Sequence, residues 1–195
     1  MILIPDLAMN LSALTVASAA AYFDLKTHKI PNKLTFPASL VGIIFQSLYF
    51  ASWGNDQNRL VYLAAGALSG VLGWFMGVFI MSFFKIFMRQ FGHGDTKLMA
   101  AIGSFVGPWH VFIVFLYYSL CFGIFTWVRL AVAVPWKDLY MYTEMKKAGV
   151  DAVPVSLEKF ALLRKQIIPV APFIALGTVC TVFLEKQTID FLGFK

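Results

Sequence analysis

The chain has 195 residues, of which 59% are hydrophobic, 16% are aromatic and 13% are charged, and its formal net charge is +6. Soluble globular proteins carry roughly 25% charged residues, so this composition excludes a soluble domain and indicates a chain that folds in the lipid bilayer. The basic residues are spread over short segments and form no continuous basic face, so we expect no nucleic-acid partner.

Six apolar runs follow one another along the chain. Each is a candidate transmembrane helix, because a bilayer core of about 30 Å requires about 20 apolar residues per helix. The runs comprise residues 7–23, 34–53, 60–84, 98–109, 111–128 and 167–184. The fourth run is short, and a re-entrant segment is its alternative interpretation. No basic segment precedes the first run, which is therefore predicted to be a transmembrane helix and not a cleaved signal peptide.

The third run carries Gly66, Gly70, Gly73 and Gly77, a spacing of small residues that allows close approach of helix backbones in a membrane. We expect this face to pack within the chain and not to form a dimer interface. The sequence contains no feature that indicates an oligomeric state.

The distribution of basic residues favours six crossings, because lysine and arginine concentrate on the cytoplasmic side of membrane proteins. With the N-terminus outside, 13 of the 16 lysines and arginines lie on the cytoplasmic side and 3 lie outside. A re-entrant fourth run would move the basic residues from Arg129 to Lys165 to the outside. We therefore predict six transmembrane helices in the cell inner (cytoplasmic) membrane, with both termini outside.

The longest polar stretch, residues 136–166, mixes apolar and basic residues in the manner of a helix lying on a membrane surface. We predict an all-α integral membrane protein in which residues 1–195 form one membrane-embedded domain with a cytoplasmic loop at about 129–166. The two cysteines, Cys121 and Cys180, lie inside apolar runs without a CxxC pair, so no disulfide scaffold and no metal site are expected.

Asp24 and Asp95 stand out among the carboxylates, because each abuts a long apolar run at the predicted cytoplasmic boundary. The two are therefore expected at one membrane depth, where they can meet. Alternatively, Asp24 is an interfacial carboxylate paired with Lys26 or Lys29, and Asp95 is the N-cap of the fourth helix. Asp24 ends a predicted helix, where the helix dipole disfavours a negative charge, so its placement requires another reason.

Three motifs resemble those of type IV prepilin peptidases, in the order in which that family carries them. Asp24 is followed after a five-residue gap by Ile30-Pro31-Asn32, and Gly92-His93-Gly94-Asp95 is followed by Lys97 and a leucine. A third match, Pro169-Val170-Ala171-Pro172-Phe173, resembles the proline-rich opening of the family's last helix. Taken by themselves, Asn32 is predicted to cap the second helix and Lys97 to mark the cytoplasmic side.

The resemblance implies a membrane aspartic endopeptidase of the GxGD type. Such enzymes remove the basic leader of prepilin-like or preflagellin-like single-pass membrane proteins at the cytoplasmic face. Asp24 and Asp95 would then be the catalytic pair, and Gly92, Gly94, Lys97 and the segment Ile30-Pro31-Asn32 would bind substrate or support the motifs. The chemistry of two carboxylates sharing a proton requires no metal or other cofactor.

The chain differs from the longer members of that family, which carry a cysteine-paired zinc domain between the first two helices and also methylate the new N-terminus. Only about ten residues separate the first two apolar runs here, without cysteine. The sequence therefore resembles the short, peptidase-only forms that serve tight-adherence pili or archaeal pilins and flagellins.

Two other classes of function compete with this interpretation. Paired aspartates near glycine-interrupted helices also describe a small ion-coupled transporter, although transporter sites lie near the bilayer midplane and no inverted repeat is visible here. The second is a structural membrane scaffold, for which the pairing of motifs would be coincidental.

The charge distribution predicts which loops face the cytoplasm. A reporter inserted between Lys137 and Lys165 is expected to be cytoplasmic, and one inserted beside Asp56 is expected to lie outside. Fusions to a reporter active only in the cytoplasm and to one active only outside measure both positions. The reverse pattern would place Asp24 and Asp95 on the outer face and contradict the predicted topology.

Overall fold

The computed structural model describes residues 4–87, 92–147 and 168–191, and these ranges are helical without a β-strand. The helices are α1 (Ile4–Thr27), α2 (Asn32–Ala51), α3 (Arg59–Phe87), α4 (His93–Ala133), α5 (Trp136–Lys147) and α6 (Ala171–Phe191). The predicted all-α fold class is confirmed.

Three helices in the described ranges are long and apolar enough to cross a membrane, namely Asn32–Ala51, Arg59–Ile86 and His93–Ala133. The apolar part of α6, Ala171–Leu184, is shorter. These helices support a multi-pass membrane protein, and the count of six crossings stays a prediction.

A break at Gly107 divides α4 close to the predicted boundary between the fourth and fifth apolar runs. Gly107 has φ +83° and ψ 172°, a conformation that glycine adopts without a steric penalty, and Pro108 follows it. We refer to residues 93–106 as α4a and to residues 108–133 as α4b.

The first part of α4b turns back alongside α4a. In a continuous helix Gly103 and Val111 would be about 12 Å apart along the axis, yet a Cβ atom on Gly103 would lie 3.2 Å from Cγ2 of Val111. The ring of Phe115 lies 4.6 Å from that of Phe84 near the end of α3. The break therefore creates a helical hairpin whose second arm returns to the level at which the first begins.

Glycines on α3 allow the backbones of α2 and α4a to come into direct contact with the backbone of α3. A Cβ atom on Gly66 would lie 2.7 Å from the Cα of Ser47 in α2, and one on Gly77 would lie 2.6 Å from the carbonyl oxygen of Met99 in α4a. A Cβ atom on Gly73 would collide with the carbonyl of Gly103. Intramolecular packing of the glycine stripe is thus confirmed.

Helix α1 packs against α6 and α2 through small side chains. Ala13, Ala17 and Ala20 are fully buried and recur at intervals of three to four residues, so one face of α1 lies against its neighbours. Helix α6 also approaches α4b, since a Cβ on Gly177 would lie 2.7 Å from the carbonyl oxygen of Val114.

Contacts divide the chain into two compact units. The first comprises Met1–Cys121 together with Pro169–Lys195, and the second comprises Phe122–Ile168. The second unit contains α5, none of whose residues is buried. A helix therefore forms in the segment predicted to lie on the membrane surface. The remainder of that predicted loop, residues 148–166, lies outside the described residues.

Substituting Gly73 tests the close packing of α3 on α4a. We expect Gly73→Ala to lower the midpoint of thermal unfolding in detergent, because the added methyl group meets backbone that cannot move aside, at a cost of about 1–3 kcal/mol.

Gly123→Ala is the matched control, because a Cβ atom at this α4b position would meet nothing within 4 Å. The control is expected to leave the midpoint unchanged or slightly raised, as alanine has the higher helix propensity. Equal midpoints for both variants would contradict the backbone contact at Gly73.

Candidate active site

Two segments far apart in the sequence meet at the start of α2 and α4. Ile30 packs on Gly94, where a Cβ atom would lie 3.3 Å from the Cβ of Ile30. The Nζ of Lys97 donates a hydrogen bond of 2.9 Å to Oδ1 of Asn32. The Ile30-Pro31-Asn32 and Gly92-His93-Gly94-Asp95 motifs therefore form one continuous region of the structure.

The turn between α1 and α2 is short and fixed. His28 has φ +51°, the left-handed conformation that commonly ends a helix, and its N–H donates to the carbonyl of Asp24 at 2.9 Å. Pro31 is extended, with φ −70° and ψ 133°, and directly precedes α2. These conformations place Ile30 beside the start of α4.

Asp24 lies in the last turns of α1, since this helix continues to Thr27, and its side chain is buried with 7% exposure. Its Oδ2 accepts a hydrogen bond of 3.0 Å from the N–H of Ala171, the first residue of α6. The amides of a first helical turn have no partner within their own helix and form the positive end of its dipole. The start of α6 thus offsets the unfavourable position of Asp24 on α1.

The contacts of Asp24 bear on its alternative interpretation as an interfacial carboxylate. The proline-rich third motif forms the start of α6 and thereby supplies the amide of Ala171. Lys26, a partner in the alternative interpretation, places its ammonium 5.8 Å from the ring centroid of Tyr22. The principal observed contact of the Asp24 carboxylate is therefore with the last helix.

Asp95 is buried to the same extent, with 7% exposure, in the first turn of α4. The alternative interpretation of Asp95 as an N-cap is wrong, because α4 already begins at His93. Asp95 is the third residue of the helix, and its Oδ2 accepts a hydrogen bond of 3.0 Å from the N–H of Gly92. An acidic or amide side chain at this position commonly reaches back to the residue before the helix.

The two aspartates act on each other electrostatically, and the charge of Lys85 also acts on Asp95. They come from α1 and α4, in segments that the contact between Ile30 and Gly94 joins. Their role as a catalytic pair stays a prediction. Two like charges in a buried setting disfavour simultaneous ionisation. The arrangement therefore suits a pair of carboxylates that hold one proton between them.

The predicted role of Asn32 requires correction. Asn32 is not the cap of α2, because the helix begins at Asn32 itself and Pro31 occupies the cap position without a side-chain hydrogen bond. The amide oxygen of Asn32 accepts a hydrogen bond from Lys97, which therefore joins the two motifs. That Lys97 marks the cytoplasmic side stays a prediction. The ammonium of Lys97 also lies 5.7 Å from the ring centroid of Phe36.

Sequence analysis did not identify Lys85 and Tyr118 as residues of this site. Lys85, near the end of α3, places its ammonium 3.1 Å from Nδ1 of His93 and was counted only as a topology marker. Tyr118 is 1% exposed and within electrostatic range of Asp95. A single tyrosine in an apolar run does not indicate that it lies near Asp95. Its position depends on the break at Gly107.

Comparison with known proteins gives one similar protein and one family. The chain is 28% identical over 132 residues to a prepilin leader peptidase/N-methyltransferase of Legionella pneumophila. The match covers 65% of this chain and 42% of that relative, so the chain spans less than half of the relative's length. No solved structure matches the chain. Residues 11–127 match the type IV leader peptidase family. This range includes Asp24 and the motifs Ile30-Pro31-Asn32 and Gly92-His93-Gly94-Asp95. The chain belongs to this family.

Proposed function

We propose that this protein is a membrane aspartic endopeptidase that removes the basic leader from prepilin-like or preflagellin-like proteins. Membership of the type IV leader peptidase family supports a protease. The observation that carries the aspartic mechanism is the pair of buried, interacting carboxylates of Asp24 and Asp95 at the junction of the two motifs. The family assignment gives no support to the transporter interpretation.

In the proposed mechanism the two carboxylates share one proton. The ionised aspartate removes a proton from a water molecule, which attacks the scissile carbonyl carbon, while the protonated aspartate donates a hydrogen bond to the carbonyl oxygen. Collapse of the tetrahedral intermediate breaks the C–N bond, and the amine leaves with the proton removed from water.

Each carboxylate is oriented by a backbone amide at the beginning of a helix. The N–H of Ala171 holds Oδ2 of Asp24, and the N–H of Gly92 holds Oδ2 of Asp95. Because backbone donors cannot rotate as side chains do, they keep the carboxylates in place before substrate binds. This preorganisation supports the assignment of both residues to the reaction.

We place the site at the cytoplasmic face of the inner membrane. Three helices carry lysines close in sequence to this end, Lys26 on α1, Lys85 on α3 and Lys97 on α4, and basic residues concentrate on the cytoplasmic side. The substrate is then a single-pass helix whose leader remains cytoplasmic and whose scissile bond is unwound at the membrane surface.

We propose peptidase activity without N-methylation. The relative from Legionella pneumophila is named for both activities, but the match covers only 42% of it. Here α1 and α2 are joined by residues 28–31 alone. No separate domain is inserted at this point of the chain.

Conservative substitution of either aspartate tests the catalytic pair. Asp24→Asn and Asp95→Asn are each expected to lower kcat/KM for leader removal by at least about 10²–10⁴-fold, because asparagine cannot transfer the proton. Cleavage of a leader-bearing prepilin by purified enzyme in detergent, followed as a mobility shift on gels, measures this loss.

Asp56→Asn is the matched control, since Asp56 is exposed in the segment between α2 and α3. The control is expected to cleave like the unmodified protein, and size-exclusion profiles check that all three variants are folded. Substantial cleavage by either Asp24→Asn or Asp95→Asn would exclude the proposed pair.

The shared proton predicts a bell-shaped dependence of kcat/KM on pH. Activity is expected to fall at low pH, where the ionised carboxylate gains a proton, and to fall again at high pH, where the shared proton is lost. Initial rates at subsaturating substrate across the pH range measure the profile. A rate that rises continuously with pH would be incompatible with a shared-proton mechanism.

A further inference from the structure

A groove of about 270 Å³ runs along the surface between α2 and α3. It is lined by Phe36, Ser39, Leu40, Ile43, Val71 and Trp74. The single hydroxyl among these side chains, that of Ser39, donates to the carbonyl of Thr35 at 2.9 Å. The groove therefore presents an apolar surface suited to another apolar surface within the membrane.

One end of the groove lies beside the junction of the two motifs. The ring of Phe36 lies 5.7 Å from the Nζ of Lys97, and the same ammonium is hydrogen-bonded to Asn32. From Phe36 to Ile43 the groove follows α2 for about 10 Å. It thus leads away from the two motifs along a helix that is long and apolar enough to span the membrane.

The walls of the groove are held together by direct helix contacts. A Cβ atom on Gly70 of α3 would lie 3.0 Å from the Cα of Ile43 in α2, so the two backbones touch at the far end. On the outer side Phe36 is 56% exposed and Leu40 is 66% exposed. The groove is consequently a fixed depression with an accessible rim.

We propose that this groove binds the apolar transmembrane helix of the substrate, next to the scissile bond, and so places that bond at Asp24 and Asp95. The proposal rests on the proposed function, which requires a membrane-anchored substrate. Helices associate in lipid through close van der Waals packing, which a preformed groove favours. A lipid acyl chain requires neither a fixed groove nor a position beside the two motifs.

Binding of this kind acts at a distance from the reacting bond. Contacts with a remote part of a substrate lower the apparent KM and position the reacting group without taking part in the chemistry. A substrate that lacks the transmembrane helix cannot use the groove. Variants that fill the groove should therefore distinguish substrates with and without that helix.

The experiment compares two substrates and two pairs of variants. The substrates are a full-length leader-bearing prepilin in phosphatidylethanolamine–phosphatidylglycerol vesicles and a peptide of the same protein truncated before its transmembrane helix. Leu40→Trp and Val71→Trp fill the groove from its two walls. Leu48→Trp and Leu72→Trp are the controls on the same helices, because Leu48 and Leu72 are 56% and 48% exposed and lie outside the groove.

We expect Leu40→Trp and Val71→Trp to raise the apparent KM for the full-length prepilin at least about tenfold, the effect of blocking one apolar contact. Cleavage of the truncated peptide should remain unchanged, and both control variants should cleave both substrates like the unmodified protein. Normal cleavage of the full-length prepilin by the groove variants would overturn the proposal, as would an equal loss on both substrates. Failure of the unmodified protein to cleave either substrate would instead contradict the peptidase function itself.

Photo-crosslinking provides a measurement that does not depend on the tryptophan variants. Benzoylphenylalanine at position 40 of an Asp95→Asn protein should crosslink to the transmembrane helix of the full-length prepilin, whereas the same probe at position 48 should not. Equal crosslinking at both positions, or crosslinking at neither, would overturn the proposal.

Discussion

The hydrogen bond between the Asp24 carboxylate and the amide of Ala171 is the interaction on which the candidate site depends. It joins α1 to α6 across 147 residues of sequence and satisfies two groups at once, a buried carboxylate and an amide that begins a helix. A buried carboxylate without a partner is costly, particularly at the negative end of its own helix. The fold compensates for this cost by directing the positive end of another helix at Asp24.

The positions of the remaining helices follow from contacts that admit no side chain. Gly73 and Gly77 allow α3 to approach the backbone of α4a, while Gly66 performs the same function towards α2. As α2 and α4a lie against one helix, the segments that precede them converge, and Ile30 comes to rest on Gly94. The site and the groove therefore share a single scaffold, in which α3 fixes the separation of its neighbours.

Much of this arrangement was predictable, because apolar runs report on helices and the two aspartates fall at the same end of their runs. The family resemblance inferred from the motifs was confirmed over residues 11–127. The contacts between helices were not predictable, since the rotation of each helix depends on its packing. Asn32 therefore pairs with Lys97 and does not cap α2, and Tyr118 reaches the vicinity of Asp95 only through the turn at Gly107.

The link between α1 and α6 also has a consequence for biosynthesis. Asp24 leaves the ribosome long before Ala171, so during most of translation its carboxylate has no α6 amide to bind. The nascent chain consequently contains both aspartates and both motifs before Asp24 acquires its final orientation. Formation of α6 is therefore the step that supplies the amide partner of Asp24, and the order of synthesis delays this contact until α1 to α5 have been made.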